Sequence, residues 1–273
     1  GATALAAVSV CSDVSRLLVG FFTGLSIGTG VLIARCYGAR EYQKMRDAIH
    51  TALLFSFLVG TAMAVLGVLC AGRLLRFTDC PADVYPQALE YLRIYLIGVL
   101  FTALYNVGAG ILRAVGDSRT PLYYLAFSCA VNIAADLVAV GVLKMGVSGA
   151  AIATIISQMG SMLLLFRSLM RTEDVYRVKL SELRIHPNLM LEITRLGIPA
   201  ALQNSLNAVS QLFVQKYIND FQTYAIAGIG AAKKIDRFAG LAATSIGNAT
   251  TMFVSQNLGA KKPAQAVKSI HVS

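Results

Sequence analysis

Residues 122–143 read L-Y-Y-L-A-F-S-C-A-V-N-I-A-A-D-L-V-A-V-G-V-L, an apolar stretch with a single carboxylate, Asp136, set inside it. A helix of about 20 apolar residues crosses a hydrocarbon core, and a charge near its middle costs roughly 2.5–3.5 kcal/mol on insertion scales. Asp136 must therefore look into protein or water. Asn132 precedes it by four residues and shares its helical face. The pair is either a polar clasp between helices or an ion or proton site, which is the default reading for an ionisable group at membrane depth.

The rest of the chain has the same character. It is 56% hydrophobic and only 14% charged, whereas a soluble domain carries about 25% charged residues. This places it among integral membrane proteins, as an all-α polytopic helical bundle. A net charge of +10 would suggest nucleic acid in a soluble chain. Here the basic residues sit between apolar runs, where they act as topology signals, and no groove-reading module appears, so no nucleic-acid partner is expected. Cys11, Cys36, Cys70, Cys80 and Cys129 form no CxxC pair or metal spacing. They read as packing residues, and no cofactor is expected. With no nucleophile–base pair or phosphate loop, an enzyme is not expected either.

Charges divide the chain into seven expected spans: 17–34, 48–72, 94–112, 122–143, 145–166, 196–215 and 238–260. The polar segment 167–195 has too few apolar residues to cross, and Pro199 interrupts the sixth span early. Connections after spans one, three, five and seven hold most of the lysines and arginines, from Arg35 to Arg46, at Arg113 and Arg119, from Arg167 to Arg195, and at Lys261, Lys262 and Lys268. By the positive-inside rule that side is cytoplasmic. Span one then runs from outside to inside, and a further helix is expected before Gly1. Lys233, Lys234, Asp236 and Arg237 read as a solvated helix start on the outer side, and His50 and His271 as interfacial residues near cytoplasmic span ends.

A long-period repeat separates a transporter from a receptor. At a constant offset of 221 residues, Arg16 falls on Arg237, Thr23 on Thr244, Thr29 on Thr250, Gly38 on Gly259, Ala39 on Ala260 and His50 on His271, without a gap. Spans one and seven are then equivalent helices six apart, which gives two halves of the same orientation related by a pseudo-two-fold axis along the membrane normal. A complete protein of this design has twelve helices in two parallel six-helix lobes.

Several motifs now resemble the multidrug and toxic compound extrusion transporters of the polysaccharide-exporting flippase superfamily. They are A-L-A-A-V from Ala4, A-R-C-Y-G-A-R-E from Ala34, G-I-L-R-A-V-G-D-S-R-T-P from Gly110, N-I-A-A-D from Asn132, G-V-S-G-A-A-I-A-T from Gly146 and L-G-I-P from Leu196. The resemblance covers essentially the whole chain. It implies a first lobe over 1–171, a cytoplasmic linker over 172–195 and the start of a second lobe over 196–273. It further implies export of drugs or toxic organic compounds by antiport with protons or sodium ions, with alternating access between the lobes. The pattern is similar to the DinF-like branch, whose cation site uses Asn and Asp four apart, a Thr on the next helix and an acid on the first helix. Asn132, Asp136 and Thr154 stand at the matching places, so sodium, if it is the coupling ion, is expected at Asp136. The NorM-like branch has a Glu on the seventh helix, where this chain has Asn207.

Other polar residues fit a cavity or interhelical hydrogen bonds equally well. Gln203, Asn207, Gln211 and Gln215 recur every four residues, and Thr244, Asn248, Thr251 and Ser255 follow helical spacing. Tyr105 and Asn106 complete the candidate substrate contacts. Gly24, Gly28 and Gly30, with Gly149, Ala150, Ala151 and Ala153, read as close helix packing. The expected partners are the lipid bilayer and small organic substrates, the expected state a monomer, and the expected place a bacterial inner (plasma) membrane. The alternative reading, a flippase for lipid-linked oligosaccharide or a precursor, calls for cationic residues around the cavity, and the spans carry almost none.

Overall fold

The computed structural model describes residues 2–77, 80–219 and 223–272, with side chains excluded at 2, 5, 13–14, 16–17, 77, 208, 211–213, 215–239 and 272. Eight helices follow in order: α1 (Ala2–Gly38), α2 (Tyr42–Phe77), α3 (Tyr85–Ala114), α4 (Arg119–Asp136), α5 (Gly146–Arg171), α6 (Pro187–Asn219), α7 (Thr223–Gly259) and α8 (Pro263–Val272). There is no strand among the described residues. Among the described residues, five helical stretches are long and apolar enough to cross a membrane: Leu18–Gly38, Tyr42–Arg76, Tyr85–Ala114, Arg119–Val142 and Gly146–Arg171.

Each expected span falls on helix, except that 122–143 runs through α4 and the π turn to one residue past it and 145–166 starts one residue before α5, and several helices run further than the apolar runs. α1 is helical from Ala2, α6 begins at Pro187 inside the expected linker, and α7 begins at Thr223. Lys233 to Arg237 therefore fall within α7 and not at its start, although their side chains lie outside the described residues. Helix α8 was not expected at all. Hydropathy marks where the hydrocarbon core begins, whereas backbone hydrogen bonds continue through charged turns beyond it.

Local chemistry sets the helix boundaries. Pro86 sits in the first turn of α3, where its missing N–H costs nothing. Gly116, at φ +100, ends the polypeptide's run along α3. The Asp117 carboxylate then accepts the N–H groups of Arg119 and Thr120 at 3.1 and 3.0 Å, which caps the start of α4. Past Asp136 the helix widens into a π turn over Leu137–Val142, and Leu143 N–H bonds back five residues to the Val138 carbonyl.

α1 is the central helix, packed on α3, α6 and α7, while α3 also packs on α2 and α5, and α4 pairs with α5. The α1–α6 contact depends on missing side chains. A Cβ on Gly24 would lie 2.2 Å from the Ala201 backbone, and one on Gly28 2.4 Å from Gly197 N. These two contacts support the close-packing reading of Gly24 and Gly28.

The segment between α5 and α6 is stitched to α2. Arg46 Nε donates to the Val175 carbonyl (3.0 Å), and His50 Nε2 accepts the Lys179 N–H (3.2 Å). Thr51 Oγ1 donates to the Arg184 carbonyl (3.3 Å) and accepts the His186 N–H (3.1 Å). His50 is buried at 2% exposure. Its ring holds the strap near the start of α2. Outward, α4 shows a wide apolar face, with Leu122, Leu125, Phe127, Ile133 and Leu137 all more than half exposed, as a lipid-facing helix requires.

Candidate functional site

Asp136 and Asn132 lie on one face of α4, both half-buried. Asp136 Oδ1 and Asn132 Nδ2 are buried and make no hydrogen bond. An orphaned buried polar atom costs about 1–3 kcal/mol, more when charged, so two side by side mark a place for an external partner. The amide's oxygen and nitrogen are interchangeable by a flip, so Asn132 can present an acceptor as readily as a donor.

Two contacts fix α4 against α5 around this pair. On one side, Ser128 Oγ donates to the Ser157 carbonyl at 2.7 Å, a buried bond. On the other, Ala139 meets Gly149 so closely that a Cβ there would lie 3.1 Å from Ala139 Cβ. The antiparallel register between them brings Thr154 to about the level of Asn132. Thr154 Oγ1 donates to the Ala150 carbonyl of its own helix (2.9 Å), which leaves its lone pairs free to accept or to ligate. A carboxylate, an amide oxygen and a hydroxyl are each hard oxygen donors. Gln158, one turn beyond Thr154, holds its own Oε1 buried without a hydrogen bond. The four-residue spacing from Thr154 is the signal that could have found it. Among the described residues no three His, Cys, Asp or Glu gather as a metal cluster.

The expected substrate contacts separate. Asn106 lines a cavity of about 530 Å³ between α1, α3 and α7, together with Thr23, Ser26, Arg113, Asn248 and Gln256. Tyr105 instead donates its hydroxyl to the Pro121 carbonyl (2.8 Å) and ties α3 to α4. Gln203 and Asn207 are exposed on α6 and line no described cavity, and the Gln211 and Gln215 side chains lie outside the described residues. Of the stripe expected on α7, Asn248 lines the cavity and Thr244, Thr251 and Ser255 do not. Each of those three hydroxyls bonds the carbonyl four residues back at 2.7–2.8 Å, so a hydroxyl in a membrane helix need not seek a cavity. The α7 residues that do line it are Ser245, Asn248, Ala249, Met252, Phe253 and Gln256.

The MatE family model matches this chain in two stretches, residues 1–138 and 199–273. The chain belongs to the MatE family. The probable multidrug resistance protein YoeA of Bacillus subtilis (strain 168) is 31% identical over 269 residues, 96% of this MatE chain, and the match spans 58% of that relative's own length. An outward-facing structure of a multidrug resistance MATE family transporter overlays with TM-score 0.86 at 24% identity, covering 98% of this chain and 60% of that one. An inward-facing structure overlays with TM-score 0.76 at 24% identity, covering 100% of this chain and 63% of that one. These likenesses show the fold, an all-helical MATE transporter architecture, and the outward-facing form matches it better.

Proposed function

We propose that this MatE chain serves a secondary active exporter of small organic compounds in a bacterial plasma membrane, driven by inward movement of protons or sodium ions. The observation that carries the reading is the pair of orphaned buried atoms at Asp136 and Asn132. A carboxylate without a partner is stabilised when a cation or proton arrives and is penalised when it stays bare. Occupancy of the site can then bias the arrangement of the α1–α5 bundle that holds it, which is the coupling an antiporter needs. The cation is cargo: Asp136, the Asn132 amide and the Thr154 hydroxyl hold it. The organic substrate occupies the cavity beside Asn106 and alternates between the two membrane faces as the two halves rock. One exporter works as a monomer.

Among the described residues lining the cavity, Arg113 is the one cation. A cradle for the pyrophosphate of a lipid-linked sugar calls for several, so export of drug-like compounds is the better fit. The test is Asp136→Asn in the complete product of the gene, expressed in cells lacking other exporters. Coupled efflux and drug resistance should be lost while the protein still reaches the membrane. Undiminished resistance would refute the reading.

A further inference from the structure

The carboxyl ends of α1 and α7 meet in a contact that repeats itself with the partners exchanged. A Cβ placed on Gly38 would lie 2.0 Å from the Gln256 carbonyl oxygen, 2.8 Å from its carbon and 3.0 Å from its Cα. A Cβ on Gly259 would lie 2.0, 2.8 and 3.0 Å from the same three atoms of Arg35. Gly38 and Gly259, and likewise Arg35 and Gln256, are pairs related by the 221-residue offset. Residue i touching j while the equivalent of i touches the equivalent of j is the signature of a two-fold axis passing through the contact. The turns that follow agree atom for atom. Ala39 and Ala260 N–H each bond four residues back at 2.9 Å, Arg40 and Lys261 three back at 3.1 Å, and Glu41 and Lys262 five back at 2.9 Å. Arg40 and Lys261 both adopt left-handed φ, at 60° and 57°.

Neither glycine is needed by its own helix. Positive φ falls on Arg40 and Lys261, and the glycines with positive φ are Gly116 and Gly146. Within a helix, alanine is preferred to glycine by about 0.5–1 kcal/mol. What Gly38 and Gly259 permit is backbone against backbone across the two halves of the repeat, at a separation no side chain allows. The contact sits on the face carrying the basic connections, directly below the 530 Å³ cavity. Gln256 adds a second tie there, donating from Nε2 to the Ala114 carbonyl of α3 at 2.6 Å.

We infer that Gly38 and Gly259 form the cytoplasmic seal of the transporter, a reciprocal backbone contact that shuts the cavity on that side and must part for substrate to enter from within. This rests on the alternating-access reading. The better overlay on an outward-facing relative than on an inward-facing one agrees with a seal that is shut here. Because the obstruction is backbone, no change of rotamer relieves it, and a methyl at either position holds the two ends apart. Either alanine should therefore favour the inward-open arrangement, by a population shift of about fivefold or more given the usual cost of overpacking.

The experiment places spin labels at Gln43 and Ala264, exposed residues just beyond the two turns, in the complete gene product with its native cysteines replaced, in lipid nanodiscs. Gly38→Ala and Gly259→Ala should each enlarge the long-distance population, while Gly160→Ala, where an added Cβ meets nothing within 4 Å, should leave it unchanged. Distances unchanged in both seal variants would overturn the proposal. Loss of both from the membrane with Gly160→Ala retained would also overturn it, by making the glycines a requirement of folding. The distances need no transport. If they shift while the parent protein shows no efflux, the transport reading fails and the seal stands. Intact efflux with unmoved distances would leave the transport reading and sink the seal.

Discussion

Asp136 and Thr154 contribute to the site in opposite ways, and substitution can separate them. Asp136 is half-buried, and its Oδ1, buried without a hydrogen bond, is a cost to the fold, so Asp136→Asn should not lower the thermal midpoint in detergent and should raise it if the charge is present in the resting state. Thr154→Val removes a hydroxyl whose bond runs to its own helix. Its effect on the midpoint should stay below about 1 kcal/mol, while the cation concentration needed for half-maximal efflux rises. A Thr154→Val protein with unchanged ion dependence would remove the hydroxyl from the site. At this scale the sequence was partly legible. A single acid in a long apolar run, with an amide one turn away, announces itself by its cost. The cavity face of α7 did not, because Thr244, Thr251 and Ser255 satisfy themselves within the helix and look the same on paper as residues that point into water. The π turn following Asp136 was equally hidden, since nothing in L-V-A-V-G-V distinguishes it from an α-helical stretch.

At the scale of elements, glycine contacts and the strap on α2 carry the arrangement. Gly24→Ala and Gly28→Ala both place a methyl against the backbone of α6 at under 2.5 Å. Each should destabilise by about 1–3 kcal/mol, read as a lowered thermal midpoint, against little change for Gly160→Ala. The strap predicts a different behaviour. Thr51→Val leaves the His186 N–H and the Arg184 carbonyl without their partner, a loss of about 1 kcal/mol, so trypsin should cut at Arg177, Lys179 and Arg184 roughly fivefold faster. Charging His50 fills the lone pair that accepts the Lys179 N–H, so acidifying the buffer until the imidazole protonates should raise the same cleavage in the unaltered protein. Equal cleavage rates for parent and Thr51→Val would show that the strap is not held by these bonds. None of this was legible in the polar segment after Arg171, whose composition showed only that it has too few apolar residues to cross a membrane. The buried Val178 at 2% exposure is a single apolar residue among polar ones, too weak a pattern to signal packing.

At the scale of the whole molecule, burial separates the helices. α3 is mostly buried, while the outer face of α4 is apolar and bare. Ile133→Lys, exposed on that face near the middle of the span, should lose about 2.5–3.5 kcal/mol of insertion energy and deplete the membrane fraction, whereas Ile133→Ala should accumulate normally. The ion pairs of Glu192 with Arg35 and Lys44, at 3.9 and 4.0 Å and well exposed, should matter little by comparison. The repeat was readable as letters, Gly38-Ala39 over Gly259-Ala260, and its meaning became visible only as geometry. The covalent path from the first half to the second also has almost no slack. It is pinned to α2 up to His186, and α6 begins at the next residue. In the exporter proposed above, rocking of one half on the other would find no leash between them to take it up. The proposed motion would then bend α6 itself at Pro199, which leaves the Arg195 carbonyl without its helical donor, between Gly197 and Ala201, the residues that rest on α1.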